Sequence, residues 1–383
     1  MNSDAVGLYI HVPFCRRRCG YCDFTTCAGG EDLWDPYVEA VVRELRHWSA
    51  HVAGRRVHSI YFGGGTPSLL GPRRVERMLE AVREGYAFEP IAEITLEANP
   101  ETLSASRLER LRAAGINRLS MGVQSFQPLL LERLDRFHRS GAVEAGVQWA
   151  RKAGFDNLSL DLIYGIPGQT LSDWKQDLEK AADLEPEHLS VYELTLEPWT
   201  PMGRRVERGQ ERLPDEEIVI ALYEWSGTFL PARGYEHYEI SNFARPGRWC
   251  IHNVQTWRQG EYVGVGLGAH SHWAGRRFRN PLSLEAYLSL PDVAGDEAAG
   301  AHGLRWIEGE AKWAEALILG LRLLTGVAIR RLERRLGSRL PRPMAETLNQ
   351  FAARGILERR GDCVRLSRRG RLLSDSVFAE LVV

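Results

Sequence analysis

The stretch that decides the reading is Leu8-Tyr9-Ile10-His11-Val12-Pro13-Phe14-Cys15-Arg16-Arg17-Arg18-Cys19-Gly20-Tyr21-Cys22-Asp23-Phe24. It opens as an apolar, β-branched run and passes through a proline into three cysteines. Four thiolates close a structural metal site, whereas three can hold a cubane iron–sulfur cluster and leave one iron open. The spacing C-x3-C-x2-C lets one tight loop wrap such a cluster. Zinc is the rival, but structural zinc takes four ligands, usually as two separated pairs. Cys27 offers a fourth thiolate, yet no second C-x2-C pair lies downstream. Arg16, Arg17 and Arg18 lie inside the loop. Cations there lower thiol pKa values and tune a cluster's potential; a solvent-facing loop accounts for them equally well.

Outward from this stretch the pattern repeats. Strand-like runs recur at residues 8–12, 57–62, 91–97, 118–123, 157–163 and 188–194, with helical patterns between them. Strands alternating with helices predict a parallel sheet in an α/β fold. Six units suit a wound sheet or a partial (β/α)6 barrel, and periodicity leaves both open. After nearly every run comes an unusual polar or glycine-rich element. Gly63-Gly64-Gly65-Thr66-Pro67 follows the second run, and Glu97-Ala98-Asn99-Pro100 ends the third. Gln124-Ser125-Phe126 follows the fourth, and Asp161 sits near the end of the fifth. The C-terminal ends of parallel strands share one face, where such folds build their sites. Any one of these elements is also ordinary turn chemistry. Several in succession beside a cysteine triplet point to a site.

The rest of the chain divides by character. We read residues 1–235 as the core domain, 236–305 as a connecting segment and 306–383 as a small C-terminal domain. Residues 292–302 read as a Gly- and Ala-rich linker. Helical segments followed by a hairpin turning at Gly361-Asp362 predict a winged-helix-like C-terminal unit. Its basic residues read as solvated surface. The run Gly264-Val265-Gly266-Leu267-Gly268 lacks the context and spacing of a dinucleotide loop. A net charge of −1 gives no global field for nucleic acid. No apolar run has the roughly 18 residues of a membrane span, and the N-terminus lacks signal-peptide character. Six cysteines, too few and too clustered toward the N-terminus for a disulfide framework, suit a reducing cytoplasm and a metal or redox role.

The cysteine spacing resembles the signature of the radical S-adenosylmethionine (radical SAM) superfamily. The segment from Tyr9 to Cys15, the run Gly63–Pro67, and Glu97, Gln124, Arg136 and Asp161 resemble the motif series of its oxygen-independent coproporphyrinogen III oxidase-like branch. Tyr238-Glu239-Ile240-Ser241-Asn242-Phe243, His252-Asn253 and Ala269-His270 resemble the later part, so the likeness covers almost the whole chain. It implies a partial (β/α)6 radical SAM barrel with a smaller α+β winged-helix-like domain. It implies a [4Fe-4S] cluster on Cys15, Cys19 and Cys22 whose open iron binds S-adenosylmethionine. Tyr9, Tyr21, Gly64, Gly65, Thr66, Glu97, Gln124, Arg136 and Asp161 are the implied S-adenosylmethionine contacts. Glu97 is the expected ribose or ammonium acceptor and Arg136 the expected carboxylate partner. Taken singly, Arg136 also fits a surface helix, Asp161 a cap and Gln124 a buried amide.

Two departures separate this chain from the oxidases of the branch. They carry a cysteine two residues past the third cluster cysteine, where this chain has Phe24. They also have a long N-terminal extension, whereas few residues here precede the first strand. Both point to the haem-chaperone (HemW) group. Haem is then the cargo, acceptor haemoproteins are partners, and a flavodoxin or ferredoxin is the electron donor. Peripheral membrane association and a cluster-dependent homodimer belong to the same expectation. His252 is the candidate haem ligand, with Cys250 and His270 nearby. A structural histidine is its plainer reading. The branch's His-Asn-x-x-Tyr-Trp motif reads His252-Asn253-Val254-Gln255-Thr256-Trp257 here, with Thr256 in place of the tyrosine. Anaerobic decarboxylation of coproporphyrinogen III, or a radical SAM methyltransferase or cyclopropanase activity, are the enzyme alternatives.

Overall fold

A computed structural model describes residues 5–136, 138–139, 141–290 and 308–382, and the backbone of 302–306. Six parallel strands form its centre: β1 (Ala5–Val12), β2 (Arg56–Gly64), β3 (Ala87–Ala98), β4 (Arg118–Gln124), β5 (Leu158–Tyr164) and β6 (His188–Glu193). They pair in chain order. The crossovers carry α1 (Trp34–His51), α2 (Pro72–Gly85), α3 (Ala105–Ala113), α4 (Pro128–Arg133), α5 (Ala142–Lys152) and α6 (Leu171–Asp183). After β6 come α7 (Pro201–Glu207) and α8 (Glu216–Ala232).

The side-chain pattern of β1 shows why these runs form a layered sheet. Val6, Leu8, Ile10 and Val12 are fully buried in the core shared with Val38, Val41 and Leu45 of α1. Gly7, Tyr9 and His11 alternate with them and face the inner side. Helix α1 repeats its apolar residues at helical spacing, which gives it one stripe to bury. Helix α6 starts at a capping box, with Thr170 and Asp173 each satisfying the other's backbone N–H.

The six strands do not close on themselves. β6 pairs instead with β8 (Asn242–Ala244), which pairs with β7 (Glu236–His237). On the other edge β1 takes β9 (Tyr262–Val265) as a parallel neighbour. Antiparallel β10 (His270–Trp273), β11 (Arg276–Arg279) and β12 (His302–Trp306) extend that edge. The sequence pattern shows six strands and misses these six, because two to five residues are too few to display an alternation. The fold is thus a partial (β/α)6 barrel with widened edges. Helix α9 (Ile251–Trp257) sits inside it, across the starts of the strands. Glu93 of β3 accepts from the N–H groups of Ile251 (2.9 Å) and His252 (3.1 Å). Helix α10 (Leu284–Leu288) lies beyond β11.

A second core forms the C-terminal unit around Trp313, Leu317, Leu348, Phe351 and Val364. Its elements are α11 (Gly309–Arg322), β13 (Val327–Ala328), α12 (Ile329–Leu336), α13 (Arg342–Ala353), β14 (Leu357–Arg360), β15 (Cys363–Leu366), α14 (Arg368–Leu372) and α15 (Ser374–Leu381). The hairpin turns at Gly361-Asp362 as expected, and β13 completes a three-stranded wing. Arg277 ties the barrel edge to Glu315 of α11 at 2.7 Å. The expected linker at 292–302 lies outside the described residues except for His302.

Glu44 of α1 holds the β9 edge in place. Its buried carboxylate accepts from Gly266 N (2.9 Å), Asn280 Nδ2 (2.7 Å) and Tyr287 Oη (2.7 Å). Glu44→Ala strands three donors, and each unsatisfied buried group costs about 1–3 kcal/mol. We expect urea denaturation to show a loss of about 3 kcal/mol or more. A loss below about 1 kcal/mol would show that this clamp is not structural.

Candidate functional site

The cysteine loop starts where β1 ends and is pinned at its base. Cys27 N donates to Pro13 O (2.8 Å) and Gly29 N to Cys15 O (3.1 Å). Between these ties, Cys15, Cys19 and Cys22 face one cavity. Burial raises the pKa of the Cys15 thiol, and the nearby Cys22 and Cys19 thiols raise it further. The Cys22 thiol is raised by burial and by Cys19. The three sulfurs therefore sense one another across a common wall.

The loop after β2 docks backbone to backbone against this segment. Gly65 N donates to Val12 O (2.8 Å), and Thr66 N to Phe14 O (2.9 Å). A Cβ on Gly65 would stand 2.7 Å from Pro13 O, so glycine is required there. Gly64 has φ +110, and a Cβ on it would strike the His11 ring. Thr66 Oγ1 lies 3.6 Å from Cys15 Sγ.

Acid and amide groups complete the wall. Glu97, at the end of β3, accepts from Tyr61 Oη (2.8 Å) and Gly64 N (3.2 Å). Burial pushes its pKa up to about 7; those two donors oppose the shift and Asp161 adds to it. Asp161 accepts from Ser120 (3.1 Å) and Ser159 (3.2 Å), and burial raises its pKa. Gln124 has φ +68, a left-handed conformation rare outside glycine, beside a register shift between β4 and β5. It too reaches the cavity. Arg136 donates to Gly122 O (2.9 Å) and to Cys19 Sγ (3.6 Å), while its buried Nε has no partner. A Cβ on Gly122 would lie 2.8 Å from Arg136 Nη2, so the bare glycine makes room for the guanidinium. The enclosed volume is about 640 Å³, within the usual range for a small-molecule site.

Comparison with known proteins places this geometry. Residues 9–181 match the Radical SAM superfamily and residues 307–373 the HemN C-terminal domain. The chain is 38% identical to the heme chaperone HemW of Mycobacterium tuberculosis, over 100% of this chain and 96% of that protein. It is 35% identical to the HemW of Bacillus subtilis, with 97% of each chain covered. The chain belongs to the HemW family of radical SAM proteins. Its fold is similar to that of coproporphyrinogen III oxidase (HemN) from Escherichia coli, with a TM-score of 0.85, 25% identity, and 99% of this chain and 90% of that one covered. Membership of this superfamily implies a [4Fe-4S] cluster and S-adenosylmethionine.

The residues present fit both groups. Three thiols share one wall, a glycine cradle leaves no room for side chains, and a buried guanidinium keeps an unused donor. Among the residues expected in this HemW-family site, Tyr21, Gly64, Gly65, Thr66, Glu97, Gln124, Arg136 and Asp161 line the cavity with the three cysteines. Tyr9 does not. It stands behind Tyr61, 6.3 Å between ring centres, and its hydroxyl meets His11 Nδ1 at 3.0 Å. His252 lies under the floor, buried, with Nδ1 at 2.9 Å from Ser59 Oγ. Burial, with His58 and Arg118 nearby, lowers its pKa to about 3, so its imidazole is neutral. His270, at the start of β10, is exposed. Phe24 stands at the mouth and is 62% exposed.

Sequence reasoning passed over Arg118, Ser190 and Tyr192, which also line the cavity, and quoted Asn253 only as part of a motif. A signal for the first was present. β4 reads Arg118-Leu119-Ser120-Met121-Gly122-Val123-Gln124, a strict alternation whose polar members share one face.

The raised pKa of Glu97 carries a stability consequence. Below about pH 4.5 the carboxyl is protonated in both folded and unfolded chains. As pH rises toward 7 the unfolded chain releases the proton first, so stability falls through this window. Water reaching the cavity wall screens the effect, leaving about 2 kcal/mol. We expect Glu97→Gln to be stabilised relative to wild type at pH 8 but not at pH 4. Urea denaturation at the two pH values measures this, and parallel wild-type and variant curves would refute it.

Proposed function

We propose that this chain binds haem and delivers it to acceptor haemoproteins, and that it does so on a scaffold retaining a cluster and S-adenosylmethionine. The observation that carries this is the end-to-end likeness to proteins named heme chaperone HemW. Phe24, where the oxidases carry a further cysteine, supports the same choice.

Cys15, Cys19 and Cys22 would hold the [4Fe-4S] cluster, which supplies one-electron chemistry when bound. Each residue's part follows from its polar atoms. Arg136, held by Gly122 O, offers its spare donor to a carboxylate. Glu97 and Asp161 offer acceptors for an ammonium and for ribose hydroxyls. A bound ammonium favours the ionised form of Glu97, so S-adenosylmethionine binding should strengthen as pH rises through 7. Gly64 and Gly65 present bare backbone, and Gln124 is held toward the ligand by its left-handed turn. Tyr9 acts in this reading by buttressing Tyr61. His252 serves as an axial haem ligand only if α9 leaves the floor, because its ring is sealed beneath it.

The reading extends to a flavodoxin- or ferredoxin-type electron donor and a cytoplasmic location, with a cluster-dependent homodimer and a peripheral membrane contact as further arms of it. Among the described residues no helix is long and apolar enough to cross a membrane. The competing reading is oxidation of coproporphyrinogen III, favoured by the fold shared with HemN.

Anaerobic reconstitution followed by haem titration tests the proposal. We expect stoichiometric haem binding and no protoporphyrinogen formation. Replacing Cys15, Cys19 and Cys22 together should abolish iron uptake. With α9 in place His252→Ala should leave the Soret band unchanged, and an altered band would put His252 in the haem site. Absence of haem binding in the wild type would overturn the chaperone reading. Turnover of the porphyrinogen would establish the oxidase.

A further inference from the structure

Asn253 of α9 lines the floor of the cavity, and one charged group near it keeps hydrogen-bond donors that no residue of the site accepts. Arg118, first residue of β4, is 2% exposed and lines the cavity. Its Nε and Nη1 have no hydrogen-bond partner. The acceptors around it are engaged elsewhere. Glu93 takes the N–H groups of Ile251 and His252, and Cys250 Sγ at 3.5 Å. His188 is turned between Ser159 (2.9 Å) and Tyr238 (2.8 Å). Tyr61 donates to Glu97. Glu93, Glu97 and Asp161 lend Arg118 charge compensation through space, but none of them gives it a hydrogen bond.

Such an arrangement is costly unless something completes it. Each stranded donor costs about 1–3 kcal/mol, and a buried cation without hydrogen bonds costs more. A guanidinium's planar fork is matched by a carboxylate, which accepts two parallel N–H bonds. Asn253, Ser190 and Tyr192 line the same cavity and offer further polar contacts to a bound carboxylate. Arg136 is separately placed for the cofactor carboxylate, beside Cys19 at the top of the cavity.

We propose that Arg118 forms an anion subsite on the cavity floor and that it takes a carboxylate arm of the tetrapyrrole cargo, a haem propionate. This deepens the haem-binding reading and rests on it.

The test compares haem with haem dimethyl ester, in which both propionates are masked, on the anaerobically reconstituted full chain. Wild type should bind haem at least about tenfold more tightly than the ester, the factor one charge-assisted hydrogen bond carries. Arg118→Gln should erase this preference, and Arg118→Lys, which keeps the charge, should restore part of it. S-adenosylmethionine affinity, measured at pH 9 so that Glu97 is ionised with or without Arg118, should stay within about threefold in both variants, which also reports that they fold; a large loss there would assign Arg118 to the cofactor carboxylate and overturn the proposal. A variant with Arg16, Arg17 and Arg18 replaced by serine should keep the preference. Equal binding of haem and ester by wild type overturns the subsite while leaving haem binding intact. So does a preference that survives Arg118→Gln or vanishes in the rim variant. Failure of wild type to bind haem at all overturns the broader reading and this subsite with it.

Discussion

Two stretches of backbone in contact set the whole site. The glycine loop after β2 donates from Gly65 and Thr66 to the carbonyls of Val12 and Phe14, at the root of the cysteine loop. Nothing larger than hydrogen fits between them at Gly65. The contact fixes where the cysteine loop leaves the sheet, and hence which wall the three thiols share. It also brings Gly64 N to Glu97 and Thr66 Oγ1 to Cys15. The three thiols and the Glu97 carboxyl are thereby registered through main chain, which does not hop between rotamers.

The interior differs from that of a closed barrel. An eight-stranded barrel fills its centre with layers of branched apolar side chains. Here the inner face carries Tyr61, Glu97, Arg118, Ser120, Asp161 and Ser190. Six strands leave a gap, and α9 plugs the lower end, with Glu93 accepting the N–H groups at its start. Much polar surface is thus kept away from bulk water, as the raised pKa values of Glu97 and Asp161 and the lowered one of His252 record. Gln124 adds backbone strain of about 1–3 kcal/mol. The apolar layer between sheet and helices, with Val6, Leu8, Ile10 and Val12 at its centre, supplies the stability that offsets these costs.

A scaffold shared with HemN does not transfer HemN's chemistry, since function resides in the site grafted on the fold. In this chain the mouth carries Phe24, exposed beside Cys22. The cavity behind it is lined by Glu97, Gln124, Arg136 and Asp161.

The six central strands, their parallel sense and the winged C-terminal unit were legible because periodicity and turn chemistry are local. So were the cysteine triplet, the glycine loop, Glu97, Gln124 and Asp161, since each follows an apolar run at the end of a strand. Tertiary structure decided the rest. It put Tyr9 behind Tyr61 and His252 beneath the floor, because a side chain's access depends on what packs over it. It recruited residues 262–265 as a parallel partner of β1, a pairing made across some 250 residues that no local pattern records. It also left Arg118 unpaired inside the barrel. The sequence by itself names the donors and acceptors; which of them satisfy one another, and which stay open for a ligand, is settled only when the chain has folded around them.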